Sequence, residues 1–82
     1  MNENNIFIVI TNNGKAYQEF DDFIAGVFSE KSVAKDFGID ESLESGDFII
    51  EEWSINKGLI KRHKYFLYEN YWYESQNNNL NP

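Results

Sequence analysis

Catalysis needs a nucleophile, a base, a metal or a phosphate cradle, and few residues in this 82-residue chain could supply one. Cysteine is absent and His63 is the single histidine, so there is no Cys-ligated zinc and too few soft ligands for an ordinary zinc centre. The five glycines form neither G-x-x-x-x-G-K-S/T nor G-x-G-x-x-G, which excludes nucleotide enzymes of those two classes. Nucleophilic catalysis would need a Ser or Thr beside a base. His63 lies in a charged stretch whose nearest acidic neighbour is Glu69, and it reads as a surface or edge-strand histidine. An enzyme would need a cleft joining His63 to a carboxylate such as Glu51 or Glu69. The adjacent pairs Asp21-Asp22 and Glu51-Glu52 point to opposite faces if they lie in strands, so neither converges on one point. Glu51 reads as a sheet-edge carboxylate, solvated or paired with Lys61 across a hairpin. The sequence thus predicts a protein that is not an enzyme, with no catalytic residue, no metal site and no cofactor.

Binding chemistry is better represented. The formal charge is −7, made of a net −9 over residues 1 to 56 and a net +2 over residues 57 to 82. Four of the seven basic residues, Lys57, Lys61, Arg62 and Lys64, lie within eight positions, and Tyr65, Phe66, Tyr68, Tyr71, Trp72 and Tyr73 follow. Three readings compete. Cations beside rings can hold single-stranded nucleic acid, with phosphates on the charges and bases on the rings. Alternatively, the cations keep an edge strand soluble while the rings fill the core. In the third reading, rings in excess of what a small core can cover form a protein interface, with Trp53, Tyr65, Tyr68, Tyr71, Trp72 and Tyr73 as candidates. The acidic body adds Asp21, Asp22, Asp40, Glu41, Glu44 and Asp47, a surface able to mimic nucleic acid towards a basic groove. A charge-segregated chain can also pair with itself as a homodimer.

These side chains need elements to hold them. Residues 6 to 11, rich in β-branched and aromatic side chains, read as a strand covered on both faces inside a sheet, closed by an Asn12-Asn13-Gly14 turn. Phe23 to Phe28 reads as a second strand with a bulge at Gly26. Ser29 is placed to cap a short helix carrying Val33, Ala34 and Phe37 on one stripe, and Gly38 is placed to end it. Residues 40 to 47 read as a polar loop, or a single turn capped by Asp40. Phe48 to Ile55 and residues 59 to 68 read as two strands joined by Asn56-Lys57-Gly58. Tyr71 to Tyr73 either extends the last strand or starts another. The expected fold is α+β, a mainly antiparallel sheet of four to five strands in β-β-α-β-β order with one short helix on one face. Residues 1 to 74 form a single domain, and 75 to 82 a disordered polar tail.

At 9.7 kDa and without disulfides, stability must come from burial or oligomerisation, which gives weight to the 14 aromatic residues. The most apolar opening run, Ile6 to Ile10, is far shorter than the ~20 residues of a membrane helix, so no membrane contact and a cytoplasmic location are expected.

The stretch Phe23-Ile24-Ala25-Gly26-Val27-Phe28-Ser29, with Ala34 and then Ile49-Ile50-Glu51-Glu52-Trp53, resembles a group of small bacterial and phage proteins. Their shared pattern is an opening strand, an I-x-G-V-F-S strand-to-helix step and a closing I-E-E-W strand. The resemblance spans roughly residues 6 to 56 and brings no catalytic residue or function with it. From Lys57 onward the chain departs from the pattern. Composition and resemblance together lead to the expectation of a non-enzymatic interaction module, a phage- or mobile-element-associated accessory or inhibitor protein with a protein partner. Single-stranded nucleic-acid binding through Lys57, Lys61, Arg62 and Lys64 is the alternative.

Overall fold

A computed structural model describes residues 5 to 11 and 23 to 75. The chain runs β1 (Asn5–Thr11), β2 (Phe23–Phe28), α1 (Lys31–Glu41), β3 (Asp47–Ser54), β4 (Gly58–Tyr68) and β5 (Tyr71–Glu74). The five strands form one antiparallel sheet in the order β2-β1-β3-β4-β5. The architecture is α+β with one helix among the described residues.

Alternation within β1 decides what lies inside. Phe7, Val9 and Thr11 are buried, whereas Ile6, Ile8 and Ile10, equally apolar, are only half-buried. β1 is interior in its hydrogen bonding, with neighbours on both sides, but it is not covered on both faces as its unbroken apolar run suggests. The reason is the supply of helix. α1 contacts β1, β2 and β3 on the side of Val9 and Phe48, and its Ala34 is fully buried there. The core joins Phe7, Val9, Ala34, Phe48, Ile50 and Tyr65, with Phe28 and Phe37 in ring contact at 5.0 Å beside it. Phe48 stacks on Tyr65 at 4.9 Å and meets Trp72 at 5.3 Å. Such aromatic pairs add about 0.5–1.5 kcal/mol each beyond burial.

α1 departs from expectation at both ends. Its N-cap is Glu30, not Ser29, and Glu30 makes no side-chain capping bond. Gly38 does not terminate it. The helix runs on to Glu41, and Ser42 closes it by donating its N–H to the Ile39 carbonyl. Gly38 is instead a place of close approach, since an added Cβ there would sit 2.3 Å from Phe48 Cε2. The positive-φ role passes to Gly46 (φ 83°), where the chain turns into β3. Asp40 is therefore a helical residue and not a cap for a separate turn.

Two further details set the side-chain pairing. The β1–β2 register shifts so that Val9 faces Gly26 and Ile10 faces Ile24, which makes Ala25 the extra residue of the bulge expected at Gly26. The question of one strand or two over residues 65 to 74 resolves as two. Glu69 and Asn70 both adopt positive φ (51° and 70°), the signature of a two-residue type I′ hairpin turn. Ser75, expected in the tail, donates its N–H to the Lys64 carbonyl. The remainder of that tail, the Asn12-Asn13-Gly14 turn, Asp21 and Asp22 lie outside the described residues.

Candidate functional site

The two faces of the sheet carry different chemistry. On the helix side a polar network surrounds His63, which is buried and lies on an interior strand, contrary to its reading as a surface or edge histidine. Its Nε2 is 3.0 Å from Glu52 Oε1 and its Nδ1 is 3.1 Å from Glu74 Oε2. A carboxylate only accepts, so an imidazolium satisfies both contacts by donating from each nitrogen, whereas a neutral ring can donate to only one. Asn5 donates to the other Glu52 oxygen at 3.1 Å, and Lys31 Nζ lies 3.9 Å from Glu74. The Tyr65 hydroxyl also hydrogen-bonds Glu74. Partial burial by itself would raise the Glu74 carboxyl. The hydrogen bond from His63, the charges of Lys31 and His63 and the hydrogen bond from Tyr65 outweigh it and hold the group below its ordinary value.

Tyr65 moves the opposite way, because burial first and the Glu74 charge second disfavour its phenolate and raise its pKa. The sign follows directly. A raised folded-state value means that the neutral phenol contributes stability in full below the ordinary value of 10.0, and loses it as pH rises through the folded value. In an alkaline titration followed by tyrosinate absorbance, Tyr65→Phe should remove the latest-appearing step. If the variant instead loses a step at the ordinary pH, the phenol is not held by this network.

His63 has carboxylate partners, but not the Glu51 or Glu69 expected for a cleft. It lines none of the three concavities described below. Among the described residues no group of three or more His, Asp or Glu is placed to hold a metal ion. The network's partners were hidden from linear spacing because Glu52 and Glu74 each lie eleven positions from His63. The usable signal is hairpin register. β3 and β4 set Ile50 opposite His63 and Glu52 opposite Lys61, while β4 and β5 set Tyr65 opposite Glu74. Each glutamate is thus the diagonal neighbour of His63 on one face.

Among the described residues the open face, turned away from α1, carries no covering element. Across its middle, Val27, Ile8, Glu51 and Arg62 stand in one row, and Ile24, Ile10, Ile49 and Lys64 in the next. Towards one end of β3, Ile6 and Leu59 flank Trp53; towards the other, Phe66 stands between Asp47 and Tyr73. Ile24 is 61% exposed, Val27 54%, Phe66 42% and Tyr73 45%, although all are apolar or aromatic. Phe66 and Tyr73 stack at 5.6 Å, which stiffens the aromatic end. Arg62 Nε donates to Glu51 at 3.0 Å, and Trp53 Nε1 donates to the other oxygen of the same carboxylate at 3.0 Å. The expected Glu51–Lys61 pair is therefore off by one residue. A bulge between Glu52 and Trp53 shifts the register, so Lys61 faces Glu52 on the helix side. A shallow concavity of about 430 Å³ is lined by Ile10, Ile24, Ile49, Glu51, Arg62 and Lys64, with Phe23 at its margin. Another, also of about 430 Å³, runs from Ile49 and Lys64 towards Phe66 and Asp47.

The sequence candidates fall into place on this frame. Tyr68, Tyr71 and Tyr73 are exposed, and Trp53 is half-buried on the open face. Tyr65 is not an interface residue, because it lies in the core with Lys35 Nζ 5.6 Å from its ring centre. Trp72 is half-buried against Phe48. The four cations do not share one surface: Arg62 and Lys64 stand on the open face, Lys61 is on the helix side, and Lys57 is in the β3–β4 turn. Among the acids, Asp40, Glu41 and Glu44 surround a concavity of about 360 Å³ with Thr11, Phe23 and Leu43, while Asp47 lies at the border of the open face. Sequence alternation did not flag Ile24, Val27, Leu59 or Phe66, which are exposed together with the tyrosines. The helix of the described residues is not long and apolar enough to cross a membrane. Compared with protein-family models, with curated proteins and with solved structures, the chain gives no match.

Proposed function

We propose that this protein is a non-enzymatic interaction module that binds a protein partner through the open face of its sheet. One observation carries the reading: among the described residues one helix covers one face of the sheet, and the other face presents exposed Ile24, Val27, Phe66 and Tyr73 around a Glu51–Arg62 pair. Contiguous apolar surface of this kind, with aromatics and arginine, is the composition of the centre of a protein interface. The nucleic-acid alternative draws less support. Tyr65 is in the core, Arg62 is held by Glu51, and Lys61 faces away from Lys64, so cations and stacking rings do not form one track.

The test is selective loss of capture. Immobilised chain should retain polypeptides from an extract of its own cells, and Phe66→Glu should lose them while Lys35→Glu on the helix side keeps them. Equal capture by the two variants, or none by the wild type, would refute the open face as a binding surface. Retention of single-stranded oligonucleotides that weakens with salt and with Lys64→Ala would favour the nucleic-acid reading.

A further inference from the structure

Building on the reading of the open face as a protein-binding surface, we infer that its partner is a second copy of this chain, joined sheet to sheet about a two-fold axis. Charge is the first argument. The chain carries −7, yet among the described residues the charges on the strands of the open face are Asp47, Glu51, Arg62 and Lys64, two of each sign. Of the other described acids, Asp40, Glu41 and Glu44 lie around their own concavity, so the described part of this face brings two copies together without opposing net charges.

The second argument is self-complementarity. In an isologous contact, residue i of one copy meets j of the other and j meets i, so the face must carry matched pairs. Glu51 and Arg62 are such a pair, directly opposite each other on neighbouring strands β3 and β4. A two-fold axis parallel to the strands and midway between β3 and β4 lays β3 of one copy over β4 of the other. Each Glu51 then faces the partner subunit's Arg62. Lys64, which has no ion-pair partner among the described residues, comes diagonally within reach of the same carboxylate.

Area is the third argument. Taking roughly 150–250 Å² per large aromatic side chain, the exposed parts of Phe66, Tyr71, Tyr73 and Leu59, with the half-buried Trp53 and the half-buried isoleucines of β1, amount to several hundred square ångströms in the overlap of β1, β3, β4 and β5, while β2 lies beyond it. That approaches the ~800 Å² per partner of a standard interface. Sheets packed face to face keep their strands within about 30° of each other, which this axis allows.

The experiment is sedimentation equilibrium on the full chain over a range of concentrations at low and high salt. The expected result is a mass approaching twice the 9.7 kDa of one chain. Added salt screens both the repulsion between two −7 chains and the cross-copy Glu51–Arg62 pairs, so the dimer should persist at high salt on its apolar contacts. Phe66→Glu, at an exposed position, should weaken self-association at least about tenfold with an unchanged circular dichroism spectrum. Arg62→Glu and Glu51→Arg should each be monomeric alone and should form a one-to-one dimer when mixed, which reads the cross-copy pairing itself. A wild-type mass of one chain throughout overturns the second-copy proposal. If such a monomer still shows capture that Phe66→Glu abolishes, the open face binds a different protein; if it shows none, the parent reading fails too. A dimer indifferent to both Phe66→Glu and the charge swap places the contact on another surface and overturns the proposal.

Discussion

Replacing Gly38 with alanine is expected to destabilise the fold by about 1–3 kcal/mol, although alanine is the better helix former by about 0.8–1.0 kcal/mol. Position 38 is inside α1, so helix propensity alone gives the opposite sign. The packing decides. A Cβ there meets three atoms of the Phe48 ring, at 2.3, 2.5 and 2.8 Å, and the backbone has no room to retreat without lifting the helix. The ring cannot swing aside cheaply, because it is stacked on Tyr65 and wedged against Trp72. Urea denaturation followed by circular dichroism gives the number, and Phe48→Leu in the same chain gives the cause. The two changes should be less damaging together than their sum by at least about 1 kcal/mol, since each relieves the crowding made by the other. Strict additivity, or a stabilised Gly38→Ala, would show that the close approach is not what selects glycine.

The second expected result concerns the network around His63. His63→Ala should cost about 2 kcal/mol at neutral pH, because it leaves Glu52 and Glu74 without their shared donor and opens space beneath them. The figure sits at the low end for a broken buried pair because the two glutamates are 21% and 34% exposed and partly solvated. His63→Ala combined with Glu52→Gln should recover part of the loss by removing one stranded charge. No recovery would mean that His63 acts by packing alone.

The same network sets the acid limb of stability. Glu74 is held below its ordinary value of 4.5, so its contribution is fully present above that value and is lost as pH falls through the lower folded value. Urea midpoints measured from about pH 6 down to about pH 3 should fall more steeply for the wild type than for Glu74→Gln. Parallel curves would place the acid sensitivity elsewhere. His63, Lys31 and Tyr65 all converge on this one carboxylate.

The reach of sequence reasoning differs along the chain, and particular residues show why. The β3–β4 turn was legible because Asn56 and Gly58 are the residue types that tolerate the φ of 77° and 113° found there. The helix was legible as an element because Val33, Ala34 and Phe37 lie at helical spacing, although Val33 is exposed and the face turned to the core is Ala34, Phe37 and Gly38. Its end was not legible. Gly38 signals a C-terminus when the chain alone is considered. It carries a different message once the Phe48 ring, ten positions later, presses against it. The Glu51 partner was misplaced by one residue because a bulge leaves no mark on alternation. Glu69 and Asn70, where the chain reverses into β5, lack the glycine that usually announces a type I′ turn.

The candidate surface shows the division most clearly. The amino-acid order by itself determined the strand-rich α+β character, the short helix after β2, the lack of cysteine chemistry and the aromatic weight near the end of the chain. All of these depend on residue type and local period. Which face became the core was a tertiary decision. Ile6, Ile8 and Ile10 are at least as apolar as Phe7, Val9 and the polar Thr11 on the other face, so residue type within β1 does not say which set is buried. One helix can cover only one side of the sheet, and Gly38 and Ala34 let it settle closely over Val9 and Phe48. That single packing choice buried His63 between two glutamates and left Ile24, Val27, Phe66 and Tyr73 exposed on the other face.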